Sequence, residues 1–217
     1  MSETGSDYAE RAEAQVLEAA LVLAPAHGWT WPMAYAAGRQ GGLSAGEVEL
    51  LLPEGPRDLA ALLSRRHDRT ALLALAGLDP AAMKVRERIR RAVRTRLEAA
   101  VADAETVRRW MGFLALPTNL ALAARLAWES ADGLWRWAGD VSTDANHYSK
   151  RAILAEILAS SLAVWLGSGE DAFLAHLDRR IEAVMAFERL KAKVARGGFG
   201  EGVANALGRL RYGLLRG

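Results

Sequence analysis

The sequence has no cysteine among its 217 residues. It therefore has no disulfide, no thiolate nucleophile and no cysteine-ligated metal. Only six prolines and four histidines are present, and the apolar–polar alternation typical of strands is nearly absent. No run of about 18 consecutive apolar residues occurs, so we expect no membrane-spanning segment. The polar, acidic start of the chain is unlike a signal peptide, which favours a cytoplasmic protein.

The residues that are present favour helix. Apolar residues make up 51% of the chain, and alanine, leucine and arginine dominate. Between the prolines the apolar residues recur with a helical period, which predicts an all-α bundle of about nine helices. A separate amphipathic helix is predicted at the C-terminus, after Gly197-Gly198. The chain is therefore divided into three predicted regions. Residues 1–54 form the N-terminal group of helices, residues 55–196 form the helical body, and residues 199–217 form the C-terminal amphipathic helix.

Several helix starts and one helix end are marked by the residue types that favour them. Thr30 is a good N-cap, and Ser44 with Glu47 three residues later forms a capping-box pattern. Ser168 is predicted to cap a ninth helix that is separate from the eighth. The first helix is predicted to cover roughly Ser6 to Ala24 and to end in the stretch Pro25-Ala26-His27-Gly28.

The charge of the chain is unevenly distributed. The net charge is only +2, yet residues 1–55 hold eight acidic and two basic residues, a net charge of −6. The run from Lys84 to Arg96 is strongly basic. Its apolar stripe must face a core, which predicts a solvated arginine face, with orientation on acidic lipids as an additional role.

The usual enzyme signatures are missing. The chain has no HExxH, HxH, ExxH, GxSxG or phosphate-loop pattern. GGFGEG at 197–202 lacks the third glycine and the preceding strand of a dinucleotide-binding loop, so it is interpreted as a hinge. We therefore predict no catalytic residues, no metal and no cofactor.

The stretch WAGDVSTDANHYSKR at 137–151 leaves two interpretations open. Asp140, Asp144 and His147 have the chemistry to bind a divalent metal. Ser, Asp and Asn also gather where a helix begins, because their oxygens accept orphan backbone N–H groups. Three ligands from one short segment make a poor metal site, so the cap of a helix is the preferred interpretation.

The first three predicted helices resemble the DNA-binding end of TetR-type regulators. The segment AALVLAPAHGWTWPMAYAAGRQGGLSAGEVELL has an Ala-rich helix, a capped second helix and a Gly-containing turn. The would-be recognition helix, however, carries Glu47 and Glu49 and no lysine or arginine. Phosphate contacts supply most of the affinity for DNA, so this end is predicted to be a degenerate helix-turn-helix.

Further motifs carry a more specific likeness. They are LLPEGPRDL (51–59), KVRERIRRAVRTRLE (84–98), LALPTN (114–119), WESADGLWRWAGDVSTDANHYSKRAILAEIL (128–158) and LDRRIEAVMAFERLK (177–191). With them the chain resembles the accessory proteins of ubiquinone biosynthesis, a TetR-like family that binds isoprenoid lipid, over roughly residues 12–195. One departure is His147, since the family usually has tryptophan before the equivalent of Tyr148.

The resemblance implies a non-catalytic protein that binds an isoprenoid quinone intermediate and presents it to the di-iron hydroxylase of the pathway. The partner surface it implies comprises Asp140, Asp144, Asn146, His147 and Tyr148. Aromatic and leucine side chains clustered in helices six to eight form either a tight core or the wall of an apolar cavity. The residues predicted to contact lipid are Trp110, Phe113, Leu114, Leu116, Trp128, Trp135, Leu154 and Trp165.

The C-terminal segment is predicted to associate with an anionic membrane surface. Its apolar residues recur at spacings of three and four, with arginines off that stripe. The predicted contacts are Phe199, Val203, Leu207, Arg209, Leu210, Arg211, Leu214 and Arg216. Packing of this helix on the body or on a second subunit in a homodimer stays open. The expected location is the cytoplasmic face of a bacterial inner membrane.

Two other functions stay open at this point. A TetR-type regulator that binds an apolar effector would share the fold. An enzyme that uses the Asp–His cluster would need a metal or an acid–base pair at 140–147.

Overall fold

The computed structural model describes residues 3–143 and 145–196, and these residues contain helices and no strand, which confirms the all-α prediction. The α-helices are α1 (Glu3–His27), α2 (Trp31–Gln40), α3 (Ala45–Leu51), α4 (Pro56–Leu75), α5 (Val85–Val101), α6 (Ala104–Leu114), α7 (Leu120–Trp137) and α8 (Ala145–Arg196). Short 3₁₀ turns occupy Pro80–Ala82 and Pro117–Asn119.

Helices α2 and α3 start where the sequence predicted. The Thr30 hydroxyl accepts a hydrogen bond from the Met33 N–H (3.3 Å), and Ser44 and Glu47 form the reciprocal capping box. Helix α1 begins at Glu3 rather than near Ser6, and it continues through Pro25 to His27, inside the stretch in which it was predicted to end. Proline in the last turn removes only one helical hydrogen bond, which limits its cost.

The helix pair α2–α3 is packed closely. A Cβ atom built on Gly38 would lie 2.1 Å from Val48 Cγ2, and the Val48 side chain is fully buried. Only glycine at this position allows α3 to approach α2 so closely. The helix-turn-helix pattern is therefore built by a true contact between the two helices, although α3 is acidic.

The predicted eighth and ninth helices form one long element. Gly169 alone departs from helical geometry, with φ 83° and ψ −179°, and α8 changes direction there. We call residues 145–168 the first limb and residues 170–196 the second limb. A left-handed φ is costly for any residue with a Cβ, so the break falls at Gly169 rather than at Ser168.

The core lies between α4, α5, α7 and both limbs of α8. Its fully buried leucines and aromatics come from all of these helices: Leu59, Leu63, Leu97, Leu126, Leu134, Leu154, Phe173 and Leu177. Both limbs of α8 thus contribute side chains to the core, and the cavities described below lie between these limbs and the other helices.

The basic face of α5 is paired rather than free. Three ion pairs join it to the second limb of α8: Arg86–Glu182 (2.8 Å), Arg90–Asp178 (2.7 Å) and Arg94–Glu170 (3.0 Å). All six side chains are more than a third exposed, so each pair adds little stability. Their regular spacing nevertheless aligns the two helices, and it neutralises charge that was predicted to be solvated.

One described helix segment, His147–Ala186, is long and apolar enough to cross a membrane by length and composition alone. The sequence analysis found no run of about 18 consecutive apolar residues and predicted no membrane-spanning segment. The same segment supplies core residues such as Leu154 and Leu177, and a buried core helix has the same composition.

Candidate functional site

An apolar cavity lies inside the bundle, between α4, α5, α6, α7 and the first limb of α8. Its volume is about 250 Å³. We call it the inner cavity. Its apolar lining is Leu97, Trp110, Met111, Leu114, Ala115, Leu120, Ala123, Leu126, Ala127, Leu158, Ala159 and Leu162, and its polar lining is Ser64, Arg96 and Ser130. Apolar walls with a few convergent polar groups are typical of small-molecule sites.

Two of the predicted lipid contacts line the inner cavity. Trp110 and Leu114 project from α6, and both are buried. The Trp110 indole N–H donates to the Ala60 carbonyl (3.0 Å), which fixes the ring against α4. The hydrogen bond satisfies the one polar atom of the indole, so the face turned to the cavity is wholly apolar.

Two other predicted contacts line a separate cavity of about 360 Å³ between α5, α7 and both limbs of α8, which we call the side cavity. They are Trp135 and Leu154. The Lys150 ammonium lies 5.4 Å from the Trp135 ring, and the Trp135 indole N–H donates to the Lys150 carbonyl (3.0 Å). Apolar residues of both limbs complete the wall: Ile153, Ile157, Ile181, Val184 and Met185.

The remaining four predicted contacts line neither of these cavities. Phe113 packs toward Trp29, with 6.5 Å between ring centroids, and Trp165 stacks on Phe173 at 4.2 Å. Leu116 is exposed, and Trp128 is partly buried, with its ring centroid 6.1 Å from that of Tyr148. The expectation of one long cavity built by all eight residues is therefore not met, since the helices divide them between two cavities, core contacts and surface.

The turn between α7 and α8 is held by a buried ion-pair network. The Asp140 side chain, 6% exposed, accepts hydrogen bonds from Lys150 Nζ (2.6 Å), Arg151 Nη1 (2.8 Å) and the Ser142 hydroxyl (2.8 Å). Burial by itself raises the pKa of the Asp140 carboxyl, but these hydrogen bonds outweigh burial and hold that pKa well below its ordinary value. Asp140 is thus an ionised structural anchor.

This placement corrects the assignment of Asp140 to an exposed partner surface. Its carboxylate faces inward and is fully engaged by Lys150 and Arg151, so a partner has no access to its oxygens. The same engagement leaves no lone pair directed at a metal shared with His147. Among the described residues, no group of three or more histidine, aspartate or glutamate side chains is arranged to hold a metal ion.

The sequence analysis did not single out Arg151, which holds this turn, or Ser64, Arg96 and Ser130, which line the inner cavity. Arg151 is one of the largest fully buried side chains, and its guanidinium also donates to Asp132 (2.7 Å) and to the His147 carbonyl (3.2 Å). One signal for Arg151 was available. Arg151 shares a helical stripe with Leu154 and Leu158, which places it on the buried face of α8.

Three aromatic rings lie together above this network. Tyr148 is 64% exposed and lies 6.1 Å from Trp128 and 5.2 Å from His147, measured between ring centroids. His147 Nδ1 is 2.9 Å from the Ser142 carbonyl, which orients its ring. Val141, in the turn between α7 and α8, is 90% exposed. We call Trp128, His147 and Tyr148 the aromatic surface.

Other predicted contacts fall outside what the structure describes. Asp144 is one of these residues, and the side chain of Asn146 is another. All eight residues predicted to contact the membrane lie after residue 196 and are also outside the described residues.

The fold and cavities define a class: an all-α bundle built around apolar cavities of ligand size. Residues 120–188, which include α7, the aromatic surface and part of the inner cavity, match the COQ9 family model. The chain is similar to "Ubiquinone biosynthesis protein COQ9, mitochondrial" of Homo sapiens, with 34% identity over 68% of this chain and 48% of the relative. The protein of the same name from Rattus norvegicus is 31% identical over 81% of this chain and 59% of its own length.

A third relative, "Ubiquinone biosynthesis protein COQ9-B, mitochondrial" of Xenopus laevis, is 29% identical over 89% of this chain and 70% of its own length. The chain spans about half the length of the human relative. It belongs to the COQ9 family of ubiquinone biosynthesis proteins.

The expected bacterial location is wrong by this comparison. The relatives from human, rat and cattle are named as mitochondrial proteins, and they point to the mitochondrion rather than to a bacterial plasma membrane.

Proposed function

We propose that this protein is a non-catalytic, lipid-binding accessory protein of ubiquinone biosynthesis. It holds an isoprenoid quinone intermediate and presents it to a ring-modifying di-iron hydroxylase. The observation that carries the proposal is the inner cavity, a predominantly apolar space of about 250 Å³ in a chain of the COQ9 family.

The chemistry of an isoprenoid explains why such a cavity is useful. Each CH₂ group moved out of water contributes about 0.8 kcal/mol, so a lipid leaves the bilayer only for an apolar site. Trp110, Leu126 and Leu158 supply such a site, because their cavity-facing atoms are apolar and they are buried.

The aromatic surface supports the presentation step. Tyrosine and tryptophan are enriched among the residues that dominate binding at protein interfaces. Tyr148 is largely exposed, and its ring contacts those of Trp128 and His147. The buried pair of Asp140 with Arg151 holds the preceding turn, so the surface is preorganised for a partner.

A non-catalytic role fits the state of the acidic groups near that surface. Asp140 is ionised and saturated by two cations, so it is unsuited to donate or accept a proton during a reaction. The nearby Asp132 is likewise engaged by Arg151 and Arg136, at 2.7 Å each.

Membrane association is assigned to residues 199–217. Their apolar stripe includes Leu207, Leu210 and Leu214, and Arg209 and Arg211 lie off it. A helix of this composition inserts its leucines at the interface and places its arginines at anionic headgroups.

Transcriptional regulation is not favoured by the geometry. In α3, Glu47 caps the helix through Ser44, and Glu49 accepts a hydrogen bond from Tyr35 (2.6 Å). The helix has no lysine or arginine, so it lacks the cations needed for phosphate contacts.

The proposal is tested by extraction of the purified full-length chain with organic solvent, followed by mass spectrometry. We expect an isoprenoid quinone, a quinone precursor or another lipid in stoichiometric amount. A chain that carries no lipid, and that takes none from vesicles loaded with such a precursor, would contradict lipid binding.

A further inference from the structure

The inner cavity has a polar end and an apolar end. Ser64, Arg96 and Ser130 are all buried, and they meet at its base beside Leu97. The opposite end opens to solvent between Ala115, Leu120 and Ala159, which are exposed. A ligand that enters through this mouth meets apolar walls first and the guanidinium group of Arg96 last.

Arg96 has unused hydrogen-bonding capacity at this base. Its Nε donates one close hydrogen bond, to Asp68 Oδ1 (2.5 Å). Within the described residues, Arg96 Nη2 makes only long contacts, 3.4 Å to the carbonyl and hydroxyl oxygens of Ser64 and 3.5 Å to the Ser130 hydroxyl. A guanidinium has five N–H donors, and good N–H···O bonds are about 2.7–3.2 Å long. Among the described residues, Arg96 Nη2 therefore has no acceptor at a close hydrogen-bonding distance.

The charge at the base is already balanced. Asp68 neutralises Arg96 and also accepts a hydrogen bond from the Ser130 hydroxyl (2.7 Å). A carboxylate or phosphate placed there would lose its hydration and would lie close to the Asp68 carboxylate. A neutral carbonyl or hydroxyl oxygen would lose much less hydration free energy, and it would supply an acceptor for Arg96 Nη2.

From this arrangement, and resting on the proposed function, we infer that the inner cavity takes its ligand head first. A neutral oxygen of a quinone- or phenol-type ring accepts a hydrogen bond from Arg96. The ring packs against Trp110 and Leu97, and the apolar tail leaves through the mouth past Leu120. The chemical class of the ligand is a neutral, oxygen-bearing aromatic or quinonoid head on an apolar tail.

The size of the cavity agrees with this assignment. An apolar cavity of about 150 Å³ holds benzene. The inner cavity, at about 250 Å³, accommodates a substituted ring and the first part of a tail. A long isoprenoid would not fit entirely, which requires the rest of the tail to lie outside, along the exposed Leu120.

Three probes that share one tail test the inference: para-hexylphenol, hexylbenzene and para-hexylbenzoate. Their binding to the full-length protein is measured by isothermal titration calorimetry at neutral pH. We expect the phenol to bind roughly tenfold or more tightly than hexylbenzene, the size of one hydrogen bond to a charged group. The benzoate should bind more weakly than the phenol.

Substitutions then test whether Arg96 causes the preference for phenol and whether the probes enter past Ala159. Arg96→Lys keeps a cation beside Asp68 but shortens the donor, and it should abolish the preference for phenol over hexylbenzene. Arg96→Met should do the same if the variant folds. Arg91→Met, at an exposed position on the same helix, should leave all three affinities unchanged. Ala159→Trp, at the exposed mouth, should weaken binding of every probe.

The outcomes separate the inference from the proposed function. Equal binding of phenol and hexylbenzene, or tightest binding of the benzoate, would overturn the neutral head-group assignment and leave lipid binding intact. The inference would also be overturned if the Arg96→Lys variant still bound the phenol more tightly than hexylbenzene. Unchanged affinities of all three probes in the Ala159→Trp variant would overturn it as well. Failure of every probe, together with the absence of any extracted lipid, would overturn both.

Discussion

Arg151 and Asp140 form a buried ion pair across the turn that joins α7 to α8. Arg151 Nη1 lies 2.8 Å from Asp140 Oδ2, and the two side chains are 2% and 6% exposed. Arg151 also pairs with Asp132 on α7, so one guanidinium connects the end of α7, the turn and α8. Asp140, one of the residues that resemble a catalytic cluster in the sequence, therefore holds the turn beside the aromatic surface.

Breaking this pair should be costly. We expect Arg151→Met to lower the free energy of unfolding by about 3–5 kcal/mol, because the Asp140 and Asp132 carboxylates would lose their buried cation. Urea denaturation followed by circular dichroism measures the change. The matched control is Arg136→Met, which removes an exposed partner of the same Asp132 and should cost less than about 1 kcal/mol. Similar losses in both variants would show that the network contributes no more than a surface pair.

The contact between α2 and α3 predicts a steric effect at Gly38. Gly38→Ala places a Cβ 2.1 Å from Val48 Cγ2, and we expect a loss of about 1–3 kcal/mol from overpacking. Adding Val48→Ala should recover part of that loss. Gly46→Ala is the control, since its Cβ meets no atom within 4 Å and alanine favours helix by up to about 1 kcal/mol. Chemical denaturation measures the free energy of unfolding of each variant. A Gly38→Ala variant as stable as the wild type would refute the close packing.

His67 predicts a pH dependence of stability. Its ring is buried, and neither ring nitrogen makes a hydrogen bond within the described residues. Burial, then the charges of Arg96 and Arg66, lower its pKa to about 3. Asp103 lies 3.8 Å away, at the long limit of an ion pair, and does not compensate for burial. The unfolded chain therefore binds a proton between pH ~6.5 and ~3 that the folded chain does not, so stability falls as pH drops through this window.

The measurement is the free energy of unfolding at a series of pH values from 7 to 4. His67→Leu should remove a slope of up to about 1.4 kcal/mol per pH unit over that window. His27→Gln, at an exposed histidine, should keep the wild-type slope. Parallel curves for wild type and His67→Leu would contradict the assignment.

Tyr148 should matter more for partner binding than for stability. Because its ring is largely exposed, Tyr148→Ala should change the free energy of unfolding by about 0.5 kcal/mol or less. Binding to the di-iron hydroxylase, measured by biolayer interferometry, should weaken by roughly tenfold or more, as for an interface hot spot. Tyr8→Ala is the control at a similarly exposed tyrosine on α1, which is 60% exposed. Equal loss of stability and affinity in Tyr148→Ala would make the residue merely structural.

The C-terminal segment should be separable from the body. Deletion of residues 199–217 should abolish binding to vesicles that contain anionic lipid, and it should leave helicity and melting temperature largely unchanged. Replacing Arg209, Arg211 and Arg216 by glutamine should reduce binding to anionic vesicles more than to neutral ones. Sedimentation with liposomes measures both effects, and undiminished binding after the deletion would exclude the anchor.

Local features of the fold were predictable because they depend on residues close together in the chain. The caps at Thr30 and Ser44 are contacts over three residues, and the helical period arises within single helices. The break in α8 was placed one residue early, at Ser168, because within this helix it is Gly169 that takes a left-handed φ.

The candidate site was predictable only in part. Trp110, Leu114, Trp135 and Leu154 do line cavities, but the tryptophan pattern could not show which cavity, because that depends on how the helices pack. Trp128 illustrates the difference, since it lies on a helix of the predicted cluster and yet packs beside the exposed Tyr148 and lines neither cavity.

The sequence alone determined an all-α chain, its family resemblance and the starts of α2 and α3, because these follow from composition, period and short-range capping. The tertiary structure alone decided that Asp140 is buried with Arg151, and that Ser64, Arg96 and Ser130 meet at the base of one cavity. Those three come from three different helices, and no local rule relates positions that are brought together only by packing around a shared core.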